Sequence, residues 1–196
     1  IDLPENNLGG YLPREVSALP YLRRLGLWSN RIGGTLPPQI GDLGRLEILH
    51  LDDNELTGRI PHEIGLLGNI TDLSLALNEG LGGRIPPELG NLSNLERLRL
   101  SDMSLHGTIP PTFGNLHNLV DLYLQNNRLG KALPDNIENL TMLRTLVLSG
   151  NTFTGGVPAS WARGLVNLKR LEIQSNDMEF DADEGRLCSL RDNGGD

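Results

Sequence analysis

The chain has 196 residues, a formal net charge of −8 and only 4% aromatic residues. An acidic chain has no general attraction for nucleic acid or anionic membranes, so neither is an expected partner. No run of about 18 uninterrupted apolar residues occurs, so we expect no segment that inserts into a bilayer. The only cysteine is Cys188, which cannot form an internal disulfide.

A repeated unit organises the sequence, and its clearest copy is LEILHLDDNELTGRIP at residues 46–61. Copies aligned on the asparagine column follow one another at steps of 24 or 25 residues. A fixed period of this length with Leu at the structural positions predicts a solenoid in which each unit supplies one strand. The asparagines of this column are Asn6, Asn30, Asn54, Asn78, Asn127, Asn151 and Asn176.

Each unit has three predicted parts. The first half, as in LRRLGLWSN at residues 22–30, alternates apolar and variable residues, which predicts a strand with one buried face. The asparagine that follows can bond backbone groups at the turn, so we expect stacked copies to form an amide ladder. A glycine then suits a tight backbone approach, and the LP or IP pair begins a short helical segment.

Three departures from the unit are expected to be local structural joints. Met103 occupies the ladder position, Lys131 occupies the glycine position, and Glu79-Gly80 marks a one-residue insertion. We expect the loss of the amide at Met103 to leave a turn group without its partner, at a cost of about 1 to 3 kcal/mol.

The ends of the array are also predicted from the unit. The residues from Ile1 to Pro13 match the second half of a repeat, so we expect the chain to be part of a longer array. Past Asn176 the pattern decays. The predicted domains are an array of about eight units over residues 1–180, the first of them partial, and an acidic cap or disordered tail over residues 181–196.

The full pattern, LxxLxxLxLxxNxLxGxIPxxLxxL, resembles the plant-specific class of leucine-rich repeats. This resemblance implies an α/β solenoid, a right-handed superhelix with a parallel β-sheet on the concave face and short helical or 3-10 segments on the convex face. It also implies extra short strands after each asparagine. Similar repeats occur in the ectodomains of leucine-rich-repeat receptor kinases, in polygalacturonase-inhibiting proteins and in Roco GTPases. The paired cysteine caps of plant extracellular members are missing from this sequence.

No catalytic, metal or cofactor site is predicted. The four histidines, His50, His62, His106 and His117, have no metal-ligand spacing and none lies beside Cys188. The glycines recur with the repeat and form no nucleotide-binding motif. We therefore expect a protein that is not an enzyme.

Three glycosylation sequons begin at Asn69, Asn91 and Asn139. All three lie in the helical segment, whose family consensus itself reads NLT or NLS, so the repeat generates sequons without selection for sugar. They favour an extracellular or cell-surface location over a cytoplasmic one only slightly.

The outward strand positions, which the core does not dictate, contain two candidate binding clusters. The first combines a large aromatic residue with charge, and the second combines arginines with a tyrosine, the residue types that are enriched at interface hot spots. The first cluster is Trp28, Ile48, His50, Asp52 and Asp53, and the second is Arg97, Arg99, Asp121 and Tyr123. The alternative is that Trp28 only covers a neighbour and that the arginines pair with Asp72 and Asp121 in a solvated lattice.

The sequence therefore predicts a monomeric, non-catalytic recognition module that binds a protein or peptide on its concave strands, within a larger receptor or signalling protein. One alternative is an architectural spacer in an intracellular, Roco-like protein. Another, which the resemblance implies, is a secreted inhibitor of a glycan-degrading enzyme.

Overall fold

The structure is a computed structural model that describes residues 1–179. The predicted cap or tail at residues 181–196 lies outside the described residues, and so does the last position of the predicted array. Within the described part, each repeat supplies a strand to one or both of two parallel sheets that run along the chain.

The first sheet carries the variable positions and is called the concave sheet here. Its strands follow the chain without a crossover, because each unit stacks on the one before it. Equivalent positions of neighbouring units pair directly, as Leu49 does with Leu25 and Leu73. The seven strands are β2 (Arg24–Gly26), β4 (Ile48–His50), β6 (Asp72–Ser74), β8 (Arg97–Arg99), β10 (Asp121–Tyr123), β12 (Thr145–Val147) and β14 (Arg170–Glu172).

The second sheet follows the asparagine of each unit and is called the flank sheet here. These are the extra short strands that the family resemblance implies, and they pair in parallel from one unit to the next. The eight strands are β1 (Gly9–Tyr11), β3 (Arg31–Thr35), β5 (Glu55–Arg59), β7 (Gly80–Gly83), β9 (Ser104–Gly107), β11 (Arg128–Lys131), β13 (Thr152–Gly155) and β15 (Asp177–Met178).

Short 3-10 helices close the other side of each unit. Each one starts just after the proline of the LP or IP pair, whose missing amide is not needed there. The 3-10 helices are Arg14–Ala18, Pro38–Asp42, His62–Leu66, Pro87–Asn91, Pro111–Asn115 and Asp135–Asn139, and the next unit has a four-residue helix α1 (Trp161–Gly164).

A continuous ladder of aliphatic side chains fills the space between the sheets and the 3-10 helices. Leu49, Leu73, Leu98 and Leu122, which pair across the concave sheet, are all fully buried. Alternation places the intervening residues of each strand on the outer face. The predicted solenoid, with a parallel sheet on one face and 3-10 helices on the other, is confirmed.

The asparagine ladder joins neighbouring units through their backbones. In the regular joint at Asn127, the side-chain Oδ1 accepts a hydrogen bond from the Leu105 amide at 3.1 Å, while Nδ2 donates to the carbonyls of Leu100 and Leu124. The same arrangement recurs at Asn30, Asn54, Asn78, Asn151 and Asn176. Asn6 differs, because its Nδ2 bonds Pro4 of its own unit. An amide that satisfies buried backbone groups explains this column.

The expected unpaired group next to Met103 does not occur. In a regular unit the Leu81 amide would bond the residue at position 103, but it bonds the Asn78 carbonyl at 2.9 Å instead. The inserted residue of Glu79-Gly80 lies between Asn78 and Leu81, so it supplies the chain length for this local bond. Met103 is only 6% exposed and joins the core. The insertion and the substitution therefore compensate for each other.

The glycine column adopts the left-handed backbone conformation that the tight approach requires. Gly83 has φ 86° and Gly107 has φ 90°. Lys131 occupies the same column with φ 65°, a conformation that costs a residue with a β-carbon about 1 to 2 kcal/mol. The backbone of the unit is thus retained without the glycine.

Candidate functional site

The first predicted cluster lies on the first two strands of the concave sheet and at their ends. Trp28, Ile48, His50 and Asp52 are half-buried, and His50 pairs in register with Gly26, which has no side chain to cover it. Asp53 is exposed beyond the strand, with φ 54°, and accepts a hydrogen bond from Ser29 Oγ at 2.6 Å. Asp53 therefore belongs to the rim of the sheet.

The second predicted cluster lies on β8 and β10. Asp121 is in register with Arg97, and Tyr123 is in register with Arg99. The guanidinium carbon of Arg99 lies 5.9 Å from the centre of the Tyr123 ring, within cation–π range. Contact between these residues gives the cluster a charged group and an aromatic face on one patch of the sheet.

Asp72, on the strand between the two clusters, connects them. It is a buried carboxylate, with 4% of its surface exposed, on the outer face of β6. Arg97 Nε donates to its Oδ2 at 2.7 Å and Arg99 Nη1 donates to its Oδ1 at 3.0 Å. From the other side, His50 Nε2 lies 3.1 Å from Oδ1, although the direction is unsuitable for a hydrogen bond. Asp72 therefore joins the two clusters into one continuous group of neighbouring side chains.

The electrostatics of Asp72 follow from these neighbours. Burial alone would raise its pKa, but the contacts with His50 and Arg97, and the charges of His50 and Arg99, lower the pKa to about 2. The same ion pair raises the pKa of Arg97. Asp72 is consequently charged at neutral pH and holds two arginine side chains in fixed positions.

Small side chains form the middle of this site. Ser74 is 2% exposed and pairs in register with both His50 and Arg99, which are larger. Ala76 and Ser101 are also buried. The outer surface of the sheet is therefore recessed at β6, between the larger side chains of β4 and β8. Nearby, Gln125 Oε1 is buried and, among the described residues, has no hydrogen-bond partner.

The arrangement agrees in part with the predicted ion-pair lattice. Arg97 and Arg99 pair with Asp72 as that alternative requires, but the lattice is not solvated at Asp72, and Asp121 forms no ion pair within the described residues. Asp72 is an outward strand position that the sequence does not mark as a site residue. The signal in the sequence is an acidic residue that is one repeat before Arg97 and one repeat after Ile48 at the same strand position.

The other predicted features occupy separate places. Asn91 and Asn139 are exposed at the ends of 3-10 helices, whereas Asn69 donates its side-chain amide to the Gly44 carbonyl at 2.6 Å. Within residues 1–179, no group of three or more His, Cys, Asp and Glu side chains could hold a metal ion. No helix in that range is long and apolar enough to cross a membrane.

Family models and solved structures both match this chain. A leucine rich repeat model matches residues 93–153, and a second leucine rich repeat model matches residues 21–43 and 45–67. No curated protein matches the chain.

The similar solved structures include plant receptor ectodomains. The ectodomain of the membrane receptor kinase GASSHO1/SCHENGEN3 from Arabidopsis thaliana, in complex with CASPARIAN STRIP INTEGRITY FACTOR 2, is 39% identical with a TM-score of 0.89, over 92% of this chain. The Arabidopsis receptor kinase HAESA, in complex with the peptide hormone IDA and the co-receptor SERK1, is 30% identical with a TM-score of 0.87, over 91% of this chain.

A bacterial structure is also similar. A leucine-rich repeat protein of Leptospira interrogans is 36% identical with a TM-score of 0.77, over 92% of this chain. The chain spans 22% of the GASSHO1/SCHENGEN3 structure, 30% of the HAESA structure and 44% of the Leptospira structure. It therefore corresponds in length to a part of each array.

Proposed function

We propose, from the premise that this chain belongs to the leucine-rich repeat family, that it is a non-catalytic recognition module which binds a peptide or protein partner on its concave sheet. The binding site consists of the two predicted clusters together with Asp72. The partner lies across the strands, in contact with side chains from several units.

The observation that carries this proposal is the buried Asp72 with its two arginines. A guanidinium has five N–H donors, and Asp72 uses Nε of Arg97 and Nη1 of Arg99. The side chains of Arg97 and Arg99 are 39% and 36% exposed, so their remaining donors are accessible from solvent. Donors held in place beforehand bind a partner with a smaller loss of side-chain entropy.

The surroundings of the arginines support a peptide or protein partner. Tyr123 and Trp28 supply aromatic surface on either side of the low central region at Ser74. Aromatic and arginine side chains around a lower centre are typical of interface hot spots. The similarity to the HAESA ectodomain, which was solved with a peptide hormone, is further support for this choice.

The test is a binding measurement on variants of the described chain. Peptides selected from a random display library on the native chain serve as probes, with affinity measured by fluorescence anisotropy. The triple variant His50→Ala, Arg99→Ala and Tyr123→Ala should weaken binding at least about 30-fold, which is the effect of one hot-spot residue. Trp28→Ala, tested alone, should weaken binding in the same direction.

A matched control removes the same three residue types elsewhere. His117, Arg45 and Tyr21 are exposed outside the concave sheet, and Arg45 and Tyr21 also form a cation–π pair, with 4.8 Å between the guanidinium carbon and the ring centre. Their replacement by alanine should leave the affinity unchanged. Equal losses in the two triple variants, or selected peptides that bind both with native affinity, would contradict the proposed site.

A further inference from the structure

A second charged surface lies outside the concave sheet. Five basic or histidine side chains are exposed on or next to the middle strands of the flank sheet, from β5 to β11, and we call this surface the basic flank: Arg59, Arg84, His106, Arg128 and Lys131. None of them forms an ion pair with a carboxylate of residues 1–179. In a chain of net charge −8, this is a local concentration of the opposite sign.

Strand register brings three of these side chains together. Arg128 pairs with His106, and Gly83 pairs with Leu105, so the residue after Gly83, Arg84, is next to His106. Leu105 and Leu129 are fully buried, so the residues beside them point outward. With neighbouring strands about 4.8 Å apart, Arg84 and Arg128 are roughly 10 Å apart with His106 between them.

The glycine column holds two of the arginines in place. A β-carbon at Gly83 would lie 3.0 Å from Cγ of Arg59, and one at Gly107 would lie 3.3 Å from Cγ of Arg84. The methylene groups of both arginines therefore run across the glycine backbone of the next unit. Their stems are packed while their guanidinium groups remain in water. This packing fixes the direction of two cations relative to the sheet.

We propose that the basic flank binds a flexible acidic peptide segment of a protein partner. Guanidinium groups match carboxylates in shape and in hydrogen bonding. The five cations do not lie on one line. Arg59 is on β5, one strand before the group of Arg84, His106 and Arg128, and Lys131 is three residues beyond Arg128 on β11. A flexible segment can bring Asp and Glu side chains to each of them, whereas a rigid polymer has one fixed charge spacing.

Other partners fit the basic flank less well. It contains no aromatic side chain on which nucleic acid bases could stack, and the net charge of the chain repels dense polyphosphates. The five side chains also include no large apolar residue to anchor a folded protein. Charge complementarity with a short acidic segment is the interaction that these residues support. This surface is independent of the concave sheet, so the two proposals can fail separately.

The probe is a fluorescein-labelled deca-glutamate peptide, with binding to the described chain measured by anisotropy. We expect binding at low ionic strength that weakens as salt is added, because exposed charges are screened. Arg84→Gln with Arg128→Gln should reduce affinity by roughly 5- to 30-fold, the combined effect of two exposed ion pairs at the upper end of their range. Thermal unfolding of each variant shows whether the fold is retained.

Two control variants test whether the probe binds at the basic flank. Arg144→Gln with Arg163→Gln makes the same charge change at exposed arginines outside the flank sheet and should leave affinity within about twofold of native, because distant exposed charges are screened. The concave triple variant should also bind normally. An equal loss in either control would overturn the proposal, and so would no binding of the probe. Tighter binding of heparin or of a ten-nucleotide RNA than of deca-glutamate would overturn the choice of partner.

Discussion

The concave sheet and the asparagine ladder run side by side through the same units, but they use hydrogen bonds differently. Each ladder side chain bonds backbone groups, as Asn127 bonds the Leu105 amide and the Leu100 carbonyl. On the concave sheet, Asp72 bonds the side chains of Arg97 and Arg99. The backbone groups at the ladder are placed alike from unit to unit, so their partner is usually asparagine. On the concave sheet both partners of a bond are side chains, so both can be replaced together.

The two kinds of position differ in how freely they can vary. A ladder position can vary only if the backbone supplies a substitute partner, as at Met103, where the Leu81 amide bonds the Asn78 carbonyl. A concave position can vary whenever its neighbour varies with it. The residues of the proposed binding surface can therefore change without loss of the solenoid.

The largest expected effect is at the ladder. Asn127→Ala removes the only described partners of two backbone groups, the Leu105 amide and the Leu100 carbonyl. Each buried unpaired group costs about 1 to 3 kcal/mol, so the free energy of unfolding should fall by about 4 kcal/mol in urea denaturation. Asn126→Gly is the control, since within residues 1–179 the exposed side chain of Asn126 bonds only Asp102, and glycine tolerates φ 56°. A similar loss in both variants would refute the special role of the ladder.

The next effect is at Asp72 and depends on pH. Its pKa is lowered from 3.8 to about 2 in the folded state, so its contribution to stability is complete above pH 3.8 and is lost as pH falls through 2. The contribution is about 2 kcal/mol above pH 3.8 while His50 is protonated. Asp72→Asn should remove it, so the stability difference between native and variant chains in urea denaturation should shrink on acidification.

The control for Asp72 is Asp121→Asn on the neighbouring cluster. Asp121 forms no ion pair within residues 1–179, so its loss should change stability by less than about 0.5 kcal/mol. A pH-independent difference between the native chain and Asp72→Asn would show that the charge of Asp72 is not what stabilises the site.

A smaller effect tests the compensation at Met103. Deleting Gly80 restores the regular unit length but leaves the Leu81 amide facing Met103, which cannot accept its hydrogen bond. Met103→Asn adds a side-chain oxygen that has no donor to bind, because the Leu81 amide already bonds the Asn78 carbonyl. Each change alone should destabilise the chain by about 1 to 2 kcal/mol, and the two together should cost less than their sum. Urea denaturation of all four chains gives the coupling. Strictly additive losses would mean that the insertion and Met103 are unrelated.

The smallest effect is at Lys131. Lys131→Gly relieves a left-handed conformation worth about 1 to 2 kcal/mol and adds backbone freedom to the unfolded chain worth about 0.5 to 1 kcal/mol. The net result should be a stabilisation of at most about 1.5 kcal/mol, measured as a small rise in the melting temperature. A lower melting temperature would indicate that the lysine side chain itself stabilises the unit.

Much of the fold could be predicted because the unit repeats. The strand before Asn54, the glycine at Gly58 and the proline at Pro61 were each predicted from one copy and supported by the others. The joint at Met103 could not be predicted. The sequence shows the insertion and the substitution 23 residues apart, and only stacking reveals that they act on the same amide.

The candidate site stays a prediction, but the arrangement of its residues can be compared with the sequence. Residue type alone singles out Arg97, Arg99 and Tyr123, and strand pairing makes them neighbours. The sequence indicates Asp72 only as a solvated partner of the arginines, because burial of an outward strand residue depends on the size of its neighbours. The basic flank was not predicted either, since the register of the flank sheet determines which of its residues are adjacent.

The sequence by itself determined the solenoid, since a period of 24 or 25 residues with fixed Leu, Asn, Gly and Pro positions leaves one way to bury every unit. Only the tertiary structure decided which charges meet. Residues one repeat apart, such as Asp72 and Arg97, are distant along the chain and become neighbours through strand pairing. A carboxylate surrounded in this way loses water and gains two arginines, and its role depends on that environment rather than on its residue type.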